Sequence, residues 1–362
     1  MSTIKLNKSS APKIGAEQIA LLEKLSNAVG VSGDEGEIRS IVLETIKPFV
    51  DEVHEDAMGN IIAIHKAKTE KSLRVMVDAH MDEVGFMIIA EDEGGLYQFE
   101  TVGGIDVRSL PAKTVWVGKD HLPGVIGAKP IHLTDKGEMD STIHLDTLRI
   151  DVGKDPGGKV KVGDRATFAT KFEQSGSVLF GKALDDRIGV VTLIELLKHA
   201  PDHIELQAAF TVQEELGLRG ARVAAYGLNP DLAFAIDSTP SFDQPTWDGS
   251  ENTQYNTRLG AGPAIYLSDA GTLSDPRLIR RLTQTAEKHA IPYQFRQPGG
   301  GGTDAGAIHL RRGGIPSVSI SIPGRYAHTA VLVSRVEDWQ HGLALLYHTL
   351  LELTPDVLSG ER

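Results

Sequence analysis

The chain has 362 residues, 41% hydrophobic and 24% charged, ordinary proportions for a soluble globular protein with a buried core. That length exceeds the usual reach of a single core, so two domains, or one domain with a large insertion, are expected. A net charge of −12 argues against binding the phosphate backbone of nucleic acid, and the lack of cysteine excludes disulfides, thiol nucleophiles and thiolate metal sites.

Residues 1–13 are polar, and no apolar stretch approaches the length of a membrane span, so a cytoplasmic location is expected. Apolar residues recur at helical spacing over 19–28 and 38–46, residues 60–65 are β-prone, and 73–79 form an apolar strand ending at His80. From residue 83 to 177 the texture changes. Short strand-like runs at 85–90, 114–117, 124–128, 148–152 and 165–169 alternate with turn signals such as Glu93-Gly94-Gly95, and amphipathic helices are not evident. Helix and strand alternate again beyond Gly181, with helices over 188–199, 221–226, 277–289 and 336–353 and strands over 178–180, 204–212, 232–236 and 317–322. The expected architecture is α/β: a catalytic domain of residues 14–82 plus 178–355, interrupted by a small all-β domain of residues 83–177.

Charged residues at the ends of apolar runs carry the chemistry. Asp78-Ala79-His80-Met81-Asp82, Lys182-Ala183-Leu184-Asp185-Asp186-Arg187, Gln213-Glu214-Glu215 and Ile236-Asp237 each terminate or follow such a run, and Tyr326-Ala327-His328 follows residues 318–322. In open α/β sheets, sites form beyond the carboxyl ends of strands, so these chain-distant residues are expected to converge. Imidazole and carboxylate suit zinc and its neighbours, and a carboxylate-bridged metal pair needs roughly five such ligands plus a further acid to take the proton from water.

Each segment alone has a plainer reading. His80 and Asp82 fit a core histidine followed by a capping acid, and Asp185-Asp186 fit a helix start. Glu214 and Glu215 fit a charged loop, and His328 fits a surface loop. Asp237 resists such a reading, because a buried strand seldom carries a carboxylate without a partner. The run Gly299-Gly300-Gly301-Gly302-Thr303-Asp304 matches no phosphate loop and reads as backbone closely approaching the site.

Taken together, Asp78 to Gly85, Lys182 to Arg187, Gln213 to Ala221, Gly299 to Ala305 and the insertion segment Gly124 to Leu133 resemble the dinuclear-metal aminopeptidases that assemble as tetrahedral shells, including glutamyl and deblocking aminopeptidases and relatives once described as cellulases. The resemblance implies a zinc-peptidase-like, three-layer domain with a mixed sheet and an inserted all-β dimerisation domain. It implies one divalent metal on His80, Asp185 and Asp237 and another on Asp185, Glu215 and His328, with zinc or cobalt favoured and manganese acceptable. Asp185 would bridge, Glu214 would act as general base and acid, and Asp82 would orient the site. Short peptides would be the substrates, and dimers would build a dodecamer. One departure lies after His328, where Thr329-Ala330 stands in place of the Ser-Pro common in that group. The alternatives are an amide deacylase with the same metal centre, a glycoside hydrolase, and an inactive assembly protein. The 6% aromatic content speaks against sugar platforms, and the full ligand set speaks against lost chemistry.

Overall fold

The computed structural model describes residues 10–69, 72–154, 156–250, 252, 256–297 and 300–362; most of the polar N-terminal segment and Gly299 lie outside this range. At its centre is an eight-stranded mixed sheet in the order Glu52–Glu55, Ile61–His65, Ile204–Thr211, Leu73–His80, Leu232–Pro240, Ser317–Gly324, Ala264–Ile265, Gln294–Phe295. The four strands that form its middle run parallel to one another. They read as almost unbroken apolar runs because both faces are covered.

Side chains alternate between the two faces. Val75, Val77 and Ala79, with Leu206, Phe210, Phe234 and Ile236, pack under the helices Ala16–Asn27, Gly36–Ile46, Leu184–Lys198, Pro276–His289 and Val336–Glu352. Met76, Ala209 and Ala233 face the opposite layer, Arg219–Leu228 and Ala305–Ile308, through small residues such as Ala221, Ala224 and Ala307. Three layers result, with strand ends open along one rim.

Between Leu73–His80 and Leu184–Lys198 the chain forms a closed six-stranded barrel from Gly85–Glu91, Leu96–Val102, Arg149–Asp151, Leu122–Gly127, Thr114–Val117 and Arg165–Phe168. It has its own core, in which Phe86 meets both Phe99 and Phe168 edge-on with ring centroids 5.2 Å apart. Among the described residues of this region are four 3₁₀ turns and one α-helical turn, Lys136–Met139, capped by the Asp135 side chain on the Glu138 amide. Glu173–Ser175 pairs instead with Val178–Gly181, which pairs in turn with Leu332–Arg335, in a small sheet beside the three layers.

Candidate metal centre

The central strands deliver the site residues to one rim. Thr211 stands opposite His80 in the parallel register, so Glu214 and Glu215 emerge just beyond the same level. Asp237 projects from the neighbouring strand, opposite Ser321. Asp185 lies in a turn entered through Ala183, whose φ of 53° places it in the left-handed region. The plain helix-start reading applies to one acid of the pair: Asp186 accepts from the Gly189 amide at 3.0 Å, while Asp185 turns towards the rim.

Asp185 is the hub. Its Oδ1 is 3.2 Å from His80 Nε2, and its Oδ2 is 3.6 Å from His328 Nε2. His80 Nε2 also lies 3.7 Å from Asp237, and His328 Nε2 lies 3.4 Å from Glu215. Two triads follow, His80/Asp185/Asp237 and Asp185/Glu215/His328, each with one ligand atom per residue within 4.8 Å of the others. The carboxylate of Asp82 is fully buried and accepts from Ser32 Oγ at 2.5 Å and from the Glu214 and Glu215 amides at 2.9 and 3.2 Å. It thereby pins both glutamates and lies 3.5 Å from His80 Nδ1.

The electrostatics are those of crowded carboxylates. Burial, with Asp185 adding to it, pushes Glu215 up to about 8 against the pull of His328. Burial and Asp185 likewise push Asp237 up to about 7. Glu214 is raised well above the usual range, by burial first and then by Asp237, Asp304 and Glu215. Burial works to raise Asp185 too, but His80 and His328 outweigh it and hold this carboxyl at about 2.

The donor set fits divalent cations. His80 Nδ1 faces the Asp82 carbonyl at 3.2 Å and His328 Nδ1 faces the Gly104 carbonyl at 2.8 Å. A carbonyl only accepts, so Nδ1 carries the hydrogen, and Nε2 of each ring is turned to the carboxylate oxygens, where it can either donate as an imidazolium or bind a cation. Burial works to lower both imidazoles, but the neighbouring carboxylates outweigh it and raise them, so positive charge is favoured between these groups, and a divalent ion in place of those protons would also relieve the crowding that raises Glu215 and Asp237.

A cavity of 670 Å³ opens on the triads and is also lined by Tyr266, Arg296 and Gly300 to Gly302. Sequence reasoning missed several of its supports. Ser32, Gly104 and Arg296 carry no local signal, since each matters through a partner brought in by the fold. Asp78 opens the segment that ends at Asp82, and its sequence context assigns it no role. It is fully buried, and burial, with Asp304 beside it, holds its carboxyl well above the usual range; Asp304 in turn accepts from Thr211 Oγ1 at 2.7 Å. Two-residue spacing from His80 on one strand was the available signal.

Comparison with known proteins agrees with this architecture. The family model described as M42 glutamyl aminopeptidase matches residues 59–345. A putative aminopeptidase of Acetivibrio thermocellus is 37% identical over 335 residues, covering 91% of this chain and 97% of that protein. The structure of an aminopeptidase from the archaeon Desulfurococcus kamchatkensis superposes with a TM-score of 0.88 at 35% identity, over 94% of this chain and 96% of that one. A Pyrococcus horikoshii peptidase, described as able to assemble into a tetrahedron or a large octahedral shell, gives 0.82 at 36% identity, over 93% of this chain and 100% of that one. The chain belongs to the M42 glutamyl aminopeptidase family and is a peptide hydrolase of the aminopeptidase type.

Proposed function

We propose that the protein removes N-terminal residues from short peptides with two divalent ions, zinc or cobalt in preference to manganese, one held by His80, Asp185 and Asp237 and the other by Asp185, Glu215 and His328. The observation that carries this reading is the division of the Asp185 carboxylate, one oxygen towards each histidine. When bound, the ions supply Lewis acidity that polarises the scissile carbonyl and acidifies an attacking water, and one of them would help hold the peptide's free α-amine, which would place its first peptide bond at the triads.

The chain's own groups do the rest. Glu214 lines the cavity without belonging to either triad, so its carboxylate is free to take the water's proton and pass it to the departing amine. Asp82, through the two amides and His80, keeps Glu214 and Glu215 at their stations.

The barrel, within the inserted segment 83–177, serves in this reading as a dimerisation domain, and dimers build a dodecameric shell. Its surface supports the idea: Ile131, Met139 and Ile143 are exposed apolar residues that line one groove with Gly127 and Arg149. The likeness to the shell-forming Pyrococcus peptidase supports it further. A cytoplasmic location belongs to the same reading; among the described residues no helix is long and apolar enough to cross a membrane.

The test is hydrolysis of a panel of amino-acid anilides after chelation and after add-back of each metal, with metal content measured alongside. Two ions per chain and metal-restored release are expected. One ion or none in fully active protein would overturn the two-ion reading.

A further inference from the structure

Next to the triads, outside the lining of the cavity, lies a charged cluster that the catalytic proposal does not use. Glu83, Lys182 and Arg187 are 2%, 1% and 0% exposed, and none of them lines the substrate cavity. The Glu83 carboxylate accepts from Lys182 Nζ at 2.8 and 2.9 Å, from the Gly30 amide at 3.0 Å, from Thr167 Oγ1 at 2.8 Å and from Arg187 Nη2 at 3.4 Å. Lys182 Nζ also donates to the Ala28 carbonyl at 2.7 Å, and Arg187 donates to the carbonyls of Leu25 and Asp82 at 3.3 and 3.4 Å.

Buried charge is costly, and paired buried charge seldom returns more stability than apolar packing of the same volume. A cluster retained at such a cost calls for a further use, and its location supplies one. Glu83 is covalently next to Asp82, and Lys182 opens the turn that presents Asp185. That turn passes through the left-handed Ala183, so its shape depends on anchors at both ends: Ser26 Oγ on the Lys182 carbonyl at 2.7 Å, and the two cations on Glu83. A space of 20 Å³, about the size that holds one water, has Glu83 and Lys182 among its lining residues together with Asp185, Glu215 and His328. Thr167 belongs to the barrel strand Arg165–Phe168, so the barrel is tied into the same cluster.

We propose that Glu83 is a positioning residue: through Lys182 and Arg187 it fixes Asp82 and the Asp185 turn relative to each other, and through Thr167 it makes that spacing depend on the barrel. The proposal rests on the two-ion reading of the site.

The test uses the full chain and Co²⁺ as probe, with Thr167→Val, Thr167→Ser, Glu83→Gln and Lys182→Met. Thr167→Val removes one hydrogen bond at nearly constant volume and keeps the test decisive if a charge variant fails to fold. Thr167→Val is expected to weaken Co²⁺ binding roughly tenfold or more, as loss of supporting hydrogen bonds around metal ligands does. It should also shift the visible Co²⁺ absorption bands and lower kcat with little change in KM, while Thr167→Ser restores all three. Folded Glu83→Gln or Lys182→Met should show the same changes more strongly. Wild-type Co²⁺ affinity and absorption in Thr167→Val and in every folded charge variant, whatever their Tm, would reduce the cluster to a structural role and overturn the proposal. Failure of the wild-type chain to bind Co²⁺ would instead strike the two-ion reading itself.

Discussion

The two triads share Asp185 but are built from different material. In one, His80 and Asp237 come from adjacent central strands, and His80 is almost completely buried. In the other, Glu215 sits in a 3₁₀ turn entered through the left-handed Gln213, and His328 has φ 58° in a loop, with 41% of its side chain exposed. Strand-borne ligands are held in the ladder, His80 opposite Thr211 and Asp237 opposite Ser321, whereas turn-borne ligands are held by a few hydrogen bonds, here those of Asp82 and Gly104. The physical expectation is one tight site and one that exchanges its ion more readily.

The largest effect should come from the shared residue. Asp185→Asn removes a charge from both triads, so both ions are expected to be lost and turnover to fall below that of any other single variant; metal analysis and anilide hydrolysis read this directly. Retention of two ions in that variant would break the bridge assignment. Next comes Glu214→Gln, expected to keep both ions while turnover falls at least ~10²-fold, since a general base contributes typically 10²–10⁴.

The comparison itself is sharpened by Glu215→Gln against Asp237→Asn. Each should weaken a different ion, and stepwise chelation of the wild type should remove the ion at Glu215 and His328 first, with a lag before the second leaves. Because imidazole and carboxylate must be deprotonated to bind, protons compete with metal, and lowering the pH should empty the turn-borne site before the strand-borne one. Simultaneous loss of both ions across the titration would erase the distinction. The smallest effect is expected from Ser32→Ala, which removes the 2.5 Å hydrogen bond to Asp82. A decrease of about tenfold in metal affinity or activity is the expected scale for such a supporting contact.

How much of this was legible in the sequence divides along the same line. His80 alone fits a core histidine and gains meaning beside the other segments, whereas Asp237 stands out because an apolar run that carries a charge at its end violates the cost of burying polar groups. The central strands were legible for the same reason, as were the helices with helical apolar spacing such as Pro276–His289. Glu52–Glu55 was not, since an edge strand exposed at all four positions has no apolar pattern to show. Ala264–Ile265 and Gln294–Phe295 are two-residue strands specified by their neighbours alone. Leu96–Val102 was legible in principle, with Tyr97, Phe99 and Val102 buried, yet its mixture of Gln, Glu and Thr obscured the alternation.

At the site, the identity of the acids could be read but their arrangement could not. Nothing local distinguishes Asp185 from Asp186; the turn through Ala183 decides which reaches the rim. Ser32, Gly104 and Thr167 act on partners 50, 224 and 84 residues away, a distance across which a single sequence carries no pattern.

The central claim is that one carboxylate joins two ion sites, and anomalous X-ray scattering at the zinc edge from zinc-loaded crystals tests it most directly. Two peaks are expected in each chain, one among His80, Asp185 and Asp237 and one among Asp185, Glu215 and His328, with both diminished in Asp185→Asn. A single peak, or two peaks that survive that substitution, would contradict it.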